Sequence, residues 1–85
     1  MTQLKTQTRE VLDIYRDDNG KYHRTNGPAR TWADGSYEYR VHGILHREDG
    51  PAKFIADTLW GPWEEYWLNG KCIKLKYQDK EELCT

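Results

Sequence analysis

The sequence lacks any long run of apolar residues, and it lacks an excess of either charge. Its 85 residues include 13 basic and 14 acidic side chains, for a net charge of −1. A transmembrane helix needs about 20 consecutive apolar residues, and a nucleic-acid-binding domain usually has a clear basic excess. The first ten residues, MTQLKTQTRE, also lack the apolar segment of a signal peptide. We therefore expect a cytoplasmic protein that does not contact a membrane, and its balanced charge disfavours nucleic-acid binding.

Nucleophilic side chains are scarce. Ser36, Cys72 and Cys84 are the only serine and cysteine residues, and none has a persuasive base nearby in the sequence. Glu64 and Glu65 are adjacent, so on a strand they should point to opposite faces as solvated residues rather than form an acid-base pair. The two cysteines fit no metal or redox spacing, and in a cytoplasmic protein they are most simply reduced thiols. We therefore expect no enzymatic activity, no metal and no cofactor.

What the chain does contain is an internal repeat. Residues 22–43, YHRTNGPARTWADGSYEYRVHG, align with residues 45–70, LHREDGPAKFIADTLWGPWEEYWLNG, and the second copy has four additional residues within TLWGPW. The shared structural residues are His23, Arg24, Gly27 and Pro28 in the first copy and His46, Arg47, Gly50 and Pro51 in the second. A hairpin glycine recurs in DNGKYHR, VHGILHR and LNGKCIK, where Ile-Lys replaces His-Arg in the third copy.

Each unit predicts short strands separated by tight turns. Asn19-Gly20 and Asn69-Gly70 predict two-residue hairpins, because both central positions of that turn need positive φ; the repeat extends this prediction to His42-Gly43. The proline of each Gly-Pro pair has no N–H group and ends a strand. We predict an all-β fold, an antiparallel meander of short hairpins that forms a single twisted or curled sheet. The predicted strands are 11–16, 21–24, 29–32, 36–41, 44–46, 53–56, 63–68 and 71–77.

The chain should form one domain built from two and a half repeats. Residues 1–8 are predicted to be a flexible arm, residues 22–43 and 45–70 the two repeats, and residues 71–85 a capping strand and tail. The tail should either form a helical turn or fray.

Alternation along the strands predicts which face is buried. Tyr37, Tyr39 and Val41 share one face of their strand, and this face is the predicted core side. Trp63 and Trp67 should share the opposite, more polar face of a later strand. A pair of tryptophans on such a face is either covered by the insertion and the tail or exposed as an interface.

The repeated His-Arg pair has two interpretations. In a catalytic interpretation, His46 is a general base that is oriented by Glu48 or Asp49. In a structural interpretation, the His and Arg side chains hold neighbouring units together by bonding turn carbonyls or a nearby Asp. The first copy has Thr25-Asn26 in place of the two acids. The structural interpretation is therefore favoured.

The insertion within residues 57–67, DTLWGPWEEYW, is where the two copies differ most. Insertions specific to one repeat usually form loops on one face and often carry binding. The candidate binding residues are Trp60, Trp63, Trp67, Tyr66, Glu65 and Arg40. The alternative is that Trp60 and Trp63 fold back and close one end of a thin core.

The unit Gly-x-x-His-Arg-x-[Asp/Asn]-Gly-Pro-Ala resembles a tandem-repeat pattern of small phage and bacterial proteins. It is similar to MORN repeats, which form hairpins stacked into an elongated sheet. The matching part covers residues 20–70. The resemblance implies protein binding or membrane-lipid association, and it implies no catalytic residue.

We expect a non-enzymatic protein-interaction module that binds through an aromatic sheet face and the 57–67 loop. The resemblance implies a phage-encoded inhibitor of a host defence or metabolic protein, with a host protein as partner in the host cytoplasm. One alternative is small-ligand or carbohydrate binding on exposed aromatic rings. Another is single-stranded nucleic-acid binding by base stacking, which needs a basic groove. An open meander also has two edges, through which homodimers can form.

Overall fold

A computed structural model describes residues 10–84, and the predicted arm at residues 1–8 lies outside this range. The described chain is all-β and antiparallel, which confirms the predicted fold class. Its strands are β1 Val11–Ile14, β2 Arg30–Trp32, β3 Tyr37–Glu38, β4 Arg40–Val41, β5 Ile44–Leu45, β6 Lys53–Ile55, β7 Trp63–Leu68, β8 Lys71–Tyr77 and β9 Lys80–Leu83.

Seven of these strands form one open sheet in the order β1-β2-β3-β6-β7-β8-β9. Strands β4 and β5 pair only with each other and form a hairpin between β3 and β6. The described chain extends 44 × 34 × 19 Å along its principal axes. It is therefore a thin plate, and neighbouring strands provide most of its contacts.

The strand boundaries follow the prediction most closely at β7 and β8, which match it residue for residue. The predicted strand 36–41 is instead divided at Tyr39, whose carbonyl accepts a hydrogen bond from the His46 N–H group (3.2 Å) and so begins the separate hairpin. The predicted strand 21–24 is reduced to a single bridge at Tyr22. The remaining predicted strands are one or two residues shorter in the structure.

Two of the three predicted two-residue turns are confirmed. His42-Gly43 has φ values of 49° and 84°, and Asn69-Gly70 has φ values of 47° and 80°. In both turns the two central residues adopt the left-handed conformation that this hairpin type requires.

The first predicted turn is wrong. Gly20 has φ 83°, but Asn19 does not have positive φ. The Asp17 Oδ1 atom accepts hydrogen bonds from the N–H groups of Asn19 (2.8 Å) and Lys21 (2.9 Å), which gives the loop one additional residue. The Asp17 N–H group closes this loop by donating to the Lys21 carbonyl (2.8 Å). A carboxylate upstream of the Asn-Gly pair has thus changed the turn type.

The tail prediction is also wrong, because the chain turns back as β9 instead of forming a helical turn or fraying. Gln78 and Asp79 have φ values of 49° and 63°, so they form a two-residue turn without glycine. Strand β9 then pairs with β8.

The cysteines are joined, which corrects the expectation of two reduced thiols. Cys72 lies in β8 and Cys84 directly follows β9. The Cys84 N–H group donates to the Ile73 carbonyl (3.1 Å), so the β8–β9 hairpin brings the two Cα atoms to 5.7 Å. A disulfide links them.

The buried face is not the one that alternation predicts. Tyr37, Tyr39 and Val41 are only half-buried, whereas Ser36 and Glu38 on the opposite face of the same segment are 1% and 5% exposed. The other buried residues are Ala29, Trp32 and Ala52. The core is consequently small and contains a carboxylate.

That carboxylate belongs to a row of alternating charges across four strands. Cross-strand pairing places Arg30 beside Glu38, Glu38 beside Lys53, and Lys53 beside Glu65. The Arg40 Nε atom donates to Glu38 (2.9 Å), and Lys53 Nζ lies 3.9 Å from Glu38. We call Arg30, Glu38, Lys53 and Glu65 the charge ladder. Opposite charges directly across a sheet stabilise strand pairing, which explains how Glu38 is tolerated in the core.

Candidate functional site

The two repeated histidines form equivalent joints between units. The Nδ1 atom of His23 accepts a hydrogen bond from the backbone N–H of His42, and the Nδ1 atom of His46 accepts one from the backbone N–H of Asn69, both at 2.9 Å. In each case the donor immediately precedes the hairpin glycine of the following unit. An accepting Nδ1 atom carries no proton. Both rings therefore use an unprotonated Nδ1 atom as the acceptor, in the same geometry.

The two repeated arginines also occupy equivalent positions. The guanidinium carbon lies 4.0 Å from a tyrosine ring centroid in both units, Arg24 over Tyr15 and Arg47 over Tyr39. In the third unit Lys74 replaces the arginine, with its Nζ atom 4.7 Å from the Tyr66 ring centroid. These cation–π contacts recur with the repeat.

The Gly-Pro turns accommodate these arginines. The Nη1 atoms donate to proline carbonyls, from Arg24 to Pro28 (3.4 Å) and from Arg47 to Pro51 (3.1 Å). A Cβ atom at Gly50 would lie 2.9 Å from Arg47 Cζ, and one at Gly27 would lie 3.1 Å from Arg24 Cζ. A side chain at either glycine would therefore push the guanidinium group away from the turn.

The acids beside His46 have structural counterparts in the first unit. Arg47 Nε donates to Asp49 (3.1 Å), as Arg24 Nε donates to Asn26 (3.2 Å). Glu48 is 80% exposed at its side chain and lies 3.6 Å from His46 Nε2. A cleft of about 530 Å³ separates the two arginine turns, but its arginines already bond the adjacent turns. This arrangement favours a joint between units over a catalytic histidine.

The insertion forms a compact turn that projects two apolar side chains. The Thr58 Oγ1 atom donates to the Gly61 carbonyl (2.6 Å) and accepts from the Trp60 N–H group (3.1 Å), while Gly61 has φ 84°. Leu59 is 93% exposed and Trp60 is 50% exposed. Two apolar residues are thus presented to solvent by a turn that its own hydrogen bonds hold in place.

Trp60 packs against Trp63, which in turn packs against Tyr77. We call these three residues the aromatic cluster. The Trp60 and Trp63 ring centroids are 6.2 Å apart at an interplanar angle of 45°, and Trp63 stacks on Tyr77 at 4.9 Å. The Tyr77 hydroxyl donates to Glu82 (2.8 Å), and this hydrogen bond raises the pKa of Tyr77. The base of the cluster is therefore anchored across three strands, β7 to β9.

Glu65 fixes two tryptophans at once. The Nε1 atoms of Trp63 and Trp67 each donate to one of its carboxylate oxygens, both at 2.9 Å. Glu64 points to the other face, where it accepts from the Tyr66 hydroxyl (3.1 Å). The opposite orientation of the two acids is as predicted, but both are half-buried and bonded, so their assignment as solvated residues is wrong.

The six predicted binding residues do not form a single site. Trp60 and Trp63 lie in the aromatic cluster, and Glu65 supports it. Trp67 lies further along β7, beside Cys72. Tyr66 is on the opposite face under a lysine, and Arg40 bonds Glu38 and the Gly43 carbonyl (2.8 Å).

Sequence reasoning missed Tyr77 and Leu59 as members of this surface. Tyr77 lies directly opposite Trp63 in the β7–β8 pairing, so the Asn-Gly hairpin and the lengths of its two strands contained the signal. Leu59 differs because its importance depends on exposure, which the sequence does not show.

A groove of about 380 Å³ lies between Pro62 and residues 76–80, and its lining includes Glu64, which is on the face of β7 opposite Trp63. Its charged lining comprises two lysines, Lys76 and Lys80, and two acids, Glu64 and Asp79. The groove therefore offers polar contacts of both signs, on the other face of β7 from the Trp63 ring.

Comparison with known proteins gives no match to a family model, a curated protein or a solved structure. Within residues 10–84, no group of three or more His, Cys, Asp or Glu side chains is arranged to hold a metal ion. The same part of the chain has no helix long and apolar enough to cross a membrane.

Proposed function

We propose that this protein is a non-enzymatic interaction module that binds a partner protein through Leu59, Trp60 and the face of the aromatic cluster around them. The observation that carries the proposal is the half-exposed Trp60 ring on a hydrogen-bonded turn, backed by Trp63. This ring is already positioned before a partner arrives.

The energetics favour this surface as a binding hot spot. Tryptophan and tyrosine dominate the energetically important positions of protein interfaces, and their stiff side chains lose little entropy on binding. Burying an exposed leucine contributes about 1.5–3 kcal/mol, and Leu59 is 93% exposed.

The kind of partner is inferred from the repeat. The HRxxGPA unit resembles repeats of small phage proteins, so we propose a phage-encoded inhibitor of a host defence or metabolic protein. In that setting the protein would act in the host cytoplasm.

Affinity capture from host extract, followed by mass spectrometry and titration of the recovered protein, tests the proposal. We expect Trp60→Ala and Leu59→Ala each to weaken binding by roughly tenfold or more, because a hot-spot truncation costs about 2 kcal/mol. Leu83→Ala is the matched control, since Leu83 is a 72% exposed leucine in β9. A partner that binds wild type and Trp60→Ala equally would show that the interface lies elsewhere.

The half-exposed Trp60 ring also favours a second function, in which it stacks on a sugar. Titration with a panel of mono- and oligosaccharides, monitored by tryptophan fluorescence, would show saturable quenching that Trp60→Ala abolishes. A flat response across the panel would exclude this function.

A further inference from the structure

Asn-Gly pairs occur three times in the chain, at Asn19-Gly20, Asn26-Gly27 and Asn69-Gly70. All three asparagine side chains belong to exposed residues. The backbone nitrogen that follows an asparagine can attack the side-chain amide carbon, and glycine hinders this attack least because it has no Cβ atom. The shared Asn-Gly sequence gives the three pairs similar reactivity in an unfolded chain, so a large difference between them must come from the fold.

The Gly27 N–H group differs from the other two attacking groups. The Gly20 N–H group donates to the Asp17 carbonyl (3.0 Å), and the Gly70 N–H group donates to the Leu45 carbonyl (2.9 Å). Among residues 10–84, no acceptor bonds the Gly27 N–H group. The nitrogen must lose its proton before it attacks, and a hydrogen bond to a carbonyl holds that proton in place. The fold therefore protects two of the pairs and leaves the pair at Gly27 reactive.

Arg24 lies next to both residues of this pair. Its Nε atom donates to Asn26 Oδ1 (3.2 Å), and a Cβ atom at Gly27 would lie 3.1 Å from its Cζ atom. Because a guanidinium group can only donate, the side-chain atom that faces it is the amide oxygen. Attack on the amide carbon turns this oxygen into an oxyanion, which a positioned cation stabilises. The guanidinium group is thus already in contact with the atom on which negative charge develops.

We infer that Asn26 is a site of spontaneous deamidation and that Arg24 promotes the reaction. The Gly27 nitrogen gives its proton to a solvent base and forms a bond to Asn26 Cγ. The C–N bond of the side-chain amide then breaks, and its nitrogen takes up a proton and leaves as ammonia. Water opens the resulting cyclic imide at either carbonyl, which gives aspartate or isoaspartate. The net reaction consumes water and releases ammonia in equal amounts.

The aspartate product makes the first unit match the second. Asp49 occupies the equivalent position, where it accepts a hydrogen bond from Arg47 Nε (3.1 Å). A carboxylate at residue 26 would form the same ion pair with Arg24. The isoaspartate product instead lengthens the main chain at the Gly27-Pro28 turn, so it would displace the glycine from the guanidinium group.

Peptide mass spectrometry of the folded full chain, aged in mildly alkaline buffer, tests the inference. Trypsin places the three pairs in different peptides, residues 17–21, 25–30 and 54–71. We expect the 25–30 peptide to come from a site that deamidates at least roughly fivefold faster than the other two, because their backbone hydrogen bonds must open first. In protein aged in concentrated urea, the three rates should approach one another. Methylation by an isoaspartyl methyltransferase would detect the isoaspartate product.

Arg24→Gln tests the role of the guanidinium group. This variant should lower the deamidation rate at Asn26 by at least about threefold, whereas Arg47→Gln, the equivalent change in the second unit, should leave that rate unchanged. Near-ultraviolet circular dichroism would verify that both variants are folded. In the folded wild type, no deamidation at Asn26, or a rate no higher than at Asn19 and Asn69, would overturn the assignment of the site. An unchanged or higher rate in folded Arg24→Gln would overturn the role of Arg24.

Discussion

Asp17 is the clearest example of one side chain controlling its surroundings. Its carboxylate lies 2.7 Å from His42 Nδ1 and accepts the N–H groups of Asn19 and Lys21. The hydrogen bond with His42, followed by that with the Lys21 N–H group, lowers the pKa of Asp17 to about 2. Asp17 therefore links the first hairpin to the next unit, whose turn contains His42.

This pKa predicts an acid-sensitive contribution to stability. Because the folded-state pKa is below the unfolded value of about 3.9, the ionised carboxylate stabilises the fold above roughly pH 4, and this contribution is lost as the pH falls toward 2. We expect Asp17→Asn to flatten the dependence of unfolding free energy on pH in this window, as measured by urea unfolding.

The cause of the low pKa can be tested separately. In the His42→Ala variant, a carboxyl-detected NMR titration should show a higher pKa for Asp17, because the largest stabilising hydrogen bond is missing. An unchanged pKa of Asp17 in this variant would mean that the backbone N–H groups of Asn19 and Lys21 alone lower it.

At the scale of single residues, some roles can be predicted from the sequence and others cannot. Comparison of the two copies predicts a structural role for His23 and His46, since the acids beside His46 are replaced in the first copy. It cannot predict that Glu65 bonds two tryptophans, because that arrangement depends on the twist and side-chain rotamers of a folded strand. The Asn19 turn was mispredicted because propensity rules ignore the competing Asp17 carboxylate.

Among the structural elements, the β8–β9 hairpin is stabilised by a covalent link. The disulfide between Cys72 and Cys84 closes a loop with a sequence separation of 12 residues. A loop of about this length corresponds to roughly 3 kcal/mol of stability through restriction of the unfolded chain.

Reduction should therefore lower the free energy of unfolding by roughly 3 kcal/mol in chemical denaturation with and without dithiothreitol. Cys84→Ser should have the lower stability from the outset and show no further response to the reductant. Two thiols that react with Ellman's reagent in the native, unreduced protein would contradict the disulfide.

Strand prediction succeeded where alternation was long and the turn unambiguous. β7 and β8 contain six and seven residues around Asn69-Gly70, so their boundaries could be predicted in full. β9 could not be predicted, because Gln78 and Asp79 lack the residue types that signal a two-residue turn. Pairing with β8 outweighs the cost of their positive φ values.

Across the whole molecule, cross-strand contacts replace much of what a thick core supplies elsewhere. The charge ladder spans β2, β3, β6 and β7, and Glu38 within it is 5% exposed. The ion-pair partners of Glu38, Arg40 and Lys53, are 24% and 30% exposed at their side chains, so water can solvate them when the carboxylate is removed and the cost is below that of a fully buried pair.

Glu38→Ala should accordingly destabilise the protein by about 1.5–3 kcal/mol, the range for a hydrogen bond to a charged group, in urea unfolding followed by tryptophan fluorescence. Glu48→Ala is the matched control, because this glutamate is 80% exposed at its side chain, and its effect should stay within about 0.5 kcal/mol. Equal effects of the two variants would mean that the ladder does not stabilise the sheet.

The global architecture was predictable as an antiparallel meander but not in its details. The repeat and its turns predict the fold class, whereas the exclusion of β4 and β5 from the main sheet depends on backbone pairing around Tyr39. The buried face was mispredicted because alternation ranks faces by apolarity, and Glu38 is buried by its ionic partners rather than by its hydropathy.

The histidine joints have a direction, since each connects its own unit to the turn that follows. The third unit has Ile73 at this position, which has no side-chain acceptor to offer a further hairpin. Within residues 10–84, this joint therefore connects the first unit to the second and the second to the third, and it is not repeated between Ile73 and the Gln78-Asp79 turn.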